Sequence, residues 1–213
     1  MNIPHPNAPL ARPTGKERDA VRRRPGGRSA RVQAAVFEAT FQLLEEREYE
    51  RLSMASIAER AGVHETSLYR RWKTKEQLVL DAVNHRVVQE VPVPDTGALR
   101  SDLIAVLQSL QLFLQSRVGQ ALFQTAGATL HLPELCALRQ ERWGQRRAQL
   151  QILFDRAIAR GELSPQVDCQ FLLEMLSGIM YMRLFVVNEP VDEMLPKRVV
   201  DLILAGQTNL IAN

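Results

Sequence analysis

The chain has 213 residues, 46% of them apolar, which suits one large domain or two small ones with a real core. No apolar run reaches the length of a membrane-spanning helix, and no apolar segment of the secretory kind opens the chain. A cytoplasmic protein without a membrane partner is therefore expected. The net charge of +3 is uneven: residues 1–31 hold eight Arg or Lys against Glu17 and Asp19, a balance of +6, whereas residues 32–90 come to −2 and residues 91–213 to −1.

Residues 1–28 also carry Pro4, Pro6, Pro9, Pro13, Pro25, Gly15, Gly26 and Gly27, a density of breakers that predicts a disordered basic arm. Charge gathered on such an arm suits contact with a polyanion, with Arg22, Arg23, Arg24 and Arg28 as the contacting groups. Ser29 is placed to cap a helix over about 30–47, where Val32, Val36, Ala39, Leu43 and Leu44 form one apolar stripe. Ser53 opens a short helix with Ile57 and Ala58 facing inward, and Gly62 ends it in the manner of a left-handed terminal residue. A second short helix covers about 64–72. A third starts near Thr74, with Leu78, Val79, Ala82 and Val83 as its buried side. PVPDTG at 92–97 is a break. Beyond it helices are expected near 98–116, 119–130, 134–160, 168–187 and 192–211, with LPE, RGELSPQ and NEP as joints. No stretch sustains a two-residue alternation, so no sheet is expected. The predicted fold is all-α: a three-helix helix-turn-helix head over 29–90 and a larger helical body over 91–213 for ligand binding and dimerisation.

Two short helices joined at a glycine suggest a helix-turn-helix. Ala58 is small where the helices would cross, Gly62 follows where a side chain would crowd the turn, and Val63 and Leu68 plug the second helix onto the first. The exposed side of that second helix then carries His64, Glu65, Thr66, Ser67, Arg70 and Arg71, the positions that enter a major groove. Arg bonds guanine bidentately, so Arg70 is the first candidate for reading bases, with Thr66 and Ser67 in reserve. Tyr69 and Lys75 are placed to bond phosphates and fix register, and Ser53 is included among the DNA-facing residues.

The segment SMASIAERAGVHETSLYRRWKTKEQLV resembles the DNA-binding signature of the tetracycline-repressor (TetR) family of bacterial transcriptional regulators. The matching residues are Ser53, Met54, Ile57, Ala58, Ala61, Gly62, Val63, Leu68, Tyr69, Trp72 and Lys75. The motif covers about thirty residues and, with the first helix, about sixty. Two positions depart from it: His64 stands where the family often has Ser or Thr, and Trp72 where it usually has Phe. The resemblance implies a homodimer on a palindromic operator in double-stranded DNA, a ligand-binding body, and repression relieved by a small-molecule effector.

In the body, DCQFLLEMLSGIMYMRLFVV at 168–187 is apolar on nearly all sides. Pairing it with 192–211, and both with copies from a second subunit, would bury the excess in a four-helix interface built on Leu176, Gly178, Ile179, Leu202 and Ile203. Leu110, Phe113, Phe123, Thr125, Trp143, Met175 and Met180 are the candidate lining of a pocket for a hydrophobic or aromatic ligand. Arg139, Arg142, Arg146 and Arg147 read as a solvated helix face, with contact to an anionic ligand as the lesser alternative. Cys136 and Cys169 lie in no metal-ligand spacing, and the four His stand apart at 5, 64, 85 and 131. No metal site, no cofactor and no enzymatic activity are expected. The alternative function is a structural DNA-binding protein without a ligand, which has no need of so large an apolar body.

Overall fold

The computed structural model describes residues 27–211, with side chains throughout except those of Arg28 and of residues 207–211. The basic arm with Arg22, Arg23 and Arg24, and the Arg28 side chain, lie outside the described residues. The described residues form nine α-helices and no strand: α1 Gly27–Glu46, α2 Met54–Ala61, α3 Glu65–Arg71, α4 Lys75–Glu90, α5 Leu99–Gln115, α6 Arg117–Ala128, α7 Pro133–Ala159, α8 Cys169–Tyr181 and α9 Leu195–Ile211. A single 3-10 turn, Tyr49–Arg51, joins α1 to α2, and α8 runs into a π-helical turn, Met182–Val186.

Local chemistry sets most of the boundaries. Ser53 and Ser56 form a reciprocal capping box: the Ser53 hydroxyl accepts from Ser56 N at 3.1 Å, and Ser53 N donates to the Ser56 hydroxyl at 3.2 Å. Gly62 ends α2 with φ 65° and ψ 35°, a conformation that costs a side chain steric strain and glycine none. Val63 N then returns to Ala58 O at 3.0 Å, which closes the turn. Thr74 caps α4 through Gln77 N, Ser116 caps α6 through Gly119 N, and Asp168 caps α8 through Phe171 N. One expected cap is corrected. The helix starts at Gly27, ahead of Ser29, and the Ser29 hydroxyl accepts from Arg71 Nη1 at 3.1 Å, so it serves a contact between α1 and α3.

In the head, α1 to α4 close around Phe37, Leu44, Ile57, Leu68, Trp72, Leu78 and Val83, all at most 3% exposed. Arg60 on α2 grips Glu46 on α1 with two parallel bonds of 2.8 Å, which fixes the angle of the pair from outside. The head shares its hydrophobic core with the body, because α4 packs against α5, α6 and α7 as well as α1.

The corner between α5 and α6 depends on a glycine. A Cβ added to Gly119 would lie 2.1 Å from Phe113 O and 2.8 Å from Leu114 Cα, both backbone atoms that cannot swing aside. Gly119→Ala is therefore expected to lower unfolding stability by about 2–3 kcal/mol despite the gain in helix propensity. Urea unfolding of the two proteins measures it, and an unchanged midpoint would mean that the corner opens at no cost.

From Cys169 to Val186 the chain is 18 residues long with mean hydropathy 1.3, apolar enough by length and composition alone to cross a membrane. Its two sides differ, however. Leu172, Leu173, Leu176 and Met180 are buried, whereas Phe171, Met175 and Met182 are 45–59% exposed. This is a helix packed on one side with an apolar face left open, and on α9 Leu202 is likewise 76% exposed.

Candidate nucleic-acid interface and body cavity

The helix-turn-helix consists of α2, the Gly62 turn and α3. Leu68 is 1% exposed and anchors α3, so the rotation of α3 about its axis is set. That rotation leaves His64, Glu65, Thr66, Tyr69, Arg70 and Arg71 exposed, with Ser67 half-buried. Glu65 stands in the first turn of α3 and Arg70 and Arg71 in the last. His64 occupies the N-cap without a side-chain bond to the helix, as its departure from Ser or Thr suggests.

The candidate contact residues are not equally available. Arg70 has no hydrogen-bond partner among the described residues, and Tyr69 is 49% exposed. Arg71 instead turns back onto α1: Nη1 reaches Ser29 at 3.1 Å, Nη2 reaches Gln33 Oε1 at 2.5 Å, and the guanidinium lies 5.0 Å from the Trp72 ring centre. Lys75 is half-buried, with Nζ 4.3 Å from the Tyr49 ring centre and 3.4 Å from Tyr49 O. Both cations hold the head together as they stand. The Ser53 hydroxyl is exposed but engaged in the capping box.

The body holds a cavity of about 240 Å³, lined almost wholly by apolar groups from α4, α5, α6, α7 and α8. Among the expected lining residues, Leu110, Phe113 and Trp143 face it. The other four do not, and helical phase explains each case. On α6 the cavity takes Leu122 and Ala126, so Phe123 points elsewhere and stacks on Phe185 at 4.4 Å. Thr125 turns its hydroxyl to Ala121 O at 2.7 Å. On α8 the cavity takes Leu173, Leu176, Ser177 and Tyr181, which leaves Met175 outside at 45% exposure and Met180 in the core at 0%. The same phase corrects Leu176, expected at a dimer interface: it is 1% exposed and faces the cavity. Of the other interface candidates, Gly178 and Leu202 are exposed and Ile179 and Ile203 half-buried.

The contribution of α4 lay outside the sequence reading. Leu80, Asn84, Val87 and Val91 line the cavity at helical spacing, while Val79, Ala82 and Val83, the neighbouring positions, are fully buried. That second stripe is legible in the sequence as a 4-3-4 recurrence beside the first. One residue of α4 also joins head to body. Trp72, just past α3, donates from Nε1 to Asp81 Oδ2 at 3.0 Å. Asp81 Oδ1 accepts from Arg142 on α7, with Nη2 at 2.9 Å and Nε at 3.1 Å, and Arg142 lines the cavity. Burial pushes the Tyr181 phenol above its ordinary range, so it stands at the cavity as a neutral hydroxyl. Among the described residues no cluster of His, Cys, Asp and Glu is arranged to hold a metal ion.

A helix-turn-helix head on a helical body with an internal cavity defines a DNA-binding transcriptional regulator of the all-α kind. Comparisons make that class specific. Residues 36–82 match the family model described as bacterial regulatory proteins, tetR family, and residues 93–203 match the tetracyclin repressor-like C-terminal domain. The chain belongs to the TetR family of bacterial transcriptional regulators. It is 34% identical over 179 residues to the HTH-type transcriptional regulator AqdR of Rhodococcus erythropolis, covering 84% of this chain and 86% of that protein. It is 31% identical over 173 residues to the DNA-binding transcriptional repressor TetR of Mycobacteroides abscessus, covering 80% and 90%. The crystal structure of the TetR family transcription regulator SCO0332 superposes with a TM-score of 0.74 at 34% identity, over 82% of this chain and 97% of that one.

Proposed function

We propose that the chain is a cytoplasmic repressor that binds a palindromic operator as a homodimer and leaves it when a small hydrophobic or aromatic molecule fills the cavity. The observation that carries this reading is the double use of α4: one stripe is packed in the core beside α1, and the next lines the cavity. A molecule that alters the α4 wall acts on the element that holds the head. Repression is favoured by the relative from Mycobacteroides abscessus, which is itself described as a repressor. Dimerisation is supported by the apolar side chains exposed on α8 and α9, Phe171, Met175, Met182 and Leu202. Within the head, Arg70 reads base edges, with Thr66 and Ser67 in support, and Tyr69 bonds phosphate. Lys75 and Arg71 reach phosphates by leaving Tyr49 and α1.

Electrophoretic mobility shift with DNA from upstream of the protein's own gene, with and without a panel of apolar and aromatic compounds, tests the whole. A shifted band that disappears with a cavity ligand is the expected result. A band that persists with every compound that demonstrably occupies the cavity would leave a DNA-binding protein without an effector.

The arm carries its own prediction. If Arg22, Arg23, Arg24 and Arg28 neutralise phosphates, log affinity falls against log salt with a slope of about −0.9 for each. Removal of residues 1–24 takes Arg22, Arg23 and Arg24 from both protomers, and is expected to weaken binding and to flatten that slope by about five. An unchanged slope would show that the arm stays off the DNA.

A further inference from the structure

The cavity is apolar, yet one of its walls is cationic. Arg139, Arg142 and Arg146 follow one another at helical spacing along α7 and all line it, and no Asp or Glu does. Arg146 is only 9% exposed, and its guanidinium donates to neutral acceptors alone, Val91 O and Gln149 Oε1. Arg139 likewise ends on Thr129 Oγ1 and on Cys136 Sγ at 3.0 Å. Neither has a carboxylate partner among the described residues. Burial already depresses the Arg146 pKa from its ordinary value. A guanidinium taken out of water without a counter-ion is costly, so this wall favours an anion that brings its own apolar bulk.

Arg142 differs from its neighbours because it has a carboxylate, Asp81, and Asp81 is the group that holds Trp72. Arg142 and Arg146, with Asn84 and Val87, also form the partition between the cavity and a smaller polar cleft of about 210 Å³ that reaches Phe37 and His85. An acidic head at that partition meets two forked donors, while the rest of the molecule lies among Leu103, Leu107 and Leu173.

Building on the reading of the cavity as an effector site, we propose that the effector is an amphipathic organic anion whose acidic head competes with Asp81 for Arg142. Arg142 exchanges one carboxylate for another, so no charge is left bare on α7. Asp81 keeps Trp72 but loses its tie to the body. The polar tie from α7 through Asp81 to Trp72 is thereby cut, and the hold of the body on the DNA-reading helix is loosened while α4 stays packed on the body. A neutral ligand of the same shape fills the cavity but leaves the Asp81–Arg142 pair in place.

The test compares decanoate and 4-butylbenzoate with decanol, 4-butylbenzyl alcohol and decylamine, each below its micelle concentration. Occupancy is read by isothermal titration calorimetry, and release from the anisotropy of labelled upstream DNA. Both acids are expected to bind at least about tenfold tighter than their alcohols, the amine weakest of all, and to displace DNA. Arg142→Gln and Arg146→Gln should each bring acid and alcohol to within about twofold of one another. Asp81→Asn retains an acceptor for Trp72 but removes the competitor, so decanoate should bind it about fivefold tighter while losing most of its power to displace DNA. A merely structural role for Asp81 would not tighten binding. Equal binding of acids and alcohols, or no binding of either acid, overturns the anionic class. An unchanged decanoate affinity in Asp81→Asn overturns the competition. The effector reading itself falls separately, if compounds that occupy the cavity all leave the DNA bound.

Discussion

Gly178→Asp combined with Leu202→Asp is expected to convert the protein to monomers and to reduce operator affinity by about a hundredfold or more, because two linked half-site contacts become independent. Both positions are suited to the test. A Cβ added at Gly178 meets nothing within 4 Å and the position is exposed, and Leu202 is 76% exposed, so both changes fall on the surface of one chain. What each adds is a carboxylate on an exposed apolar surface, beside Met175 and Met182 on α8 for Gly178 and in place of an exposed leucine on α9 for Leu202. An unpaired charge buried between two such faces costs several kcal/mol per subunit, which exceeds what most dimers can lose. Light scattering reports the assembly and mobility shift the affinity. A dimer of unchanged stability would place the interface elsewhere on the molecule.

Arg70→Ala is expected to cost about 1–3 kcal/mol on the operator and to relax preference at one base position per half-site. The buried Leu68 sets the phase of α3, and Arg70 is two positions on, exposed and without a partner among the described residues. Tyr69→Phe and Lys75→Ala are expected to weaken operator and random DNA by similar factors, since phosphate contacts carry no sequence. Lys75→Ala has an additional effect, because the ammonium lies on the Tyr49 ring, and its loss should lower the thermal stability of the free protein as well. Titration against single-base operator variants separates the two kinds of residue. If Tyr69→Phe changes base preference and Arg70→Ala changes none, the helix enters the groove rotated from the assignment made here.

The head was legible in the sequence because its signals are local. A serine cap, a glycine that must take a left-handed conformation and an apolar plug six residues later fix a helix-turn-helix within a stretch too short for distant contacts to override. The helices of the body were legible for the same reason, through periodicity and breakers. Which residues face the cavity was not. Phe123, Thr125, Met175 and Met180 are the right kinds of residue, but each stands one or two positions from the inward side, and a helix turns by about 100° per residue. The bond from Arg142 to Asp81 spans 61 positions and leaves no trace in either neighbourhood. The arginines of α7 read as a solvated face because a charged run usually is one, and only the enclosure of Arg146 distinguishes this case.

The shared wall of α4 has a consequence for how such a regulator changes over generations. Leu80, Asn84 and Val87 cannot be exchanged to suit a new ligand without disturbing Val79, Asp81 and Val83 beside them, and through these the grip on the DNA-reading helix. The opposite walls carry no such burden: Leu107 and Leu110 on α5 and Ser177 and Tyr181 on α8 border the cavity far from the head in sequence. Substitutions that retune what the protein senses should therefore accumulate on α5 and α8, leaving operator choice intact. A change on α4 alters recognition of ligand and DNA together, and so persists only when both are under selection at once.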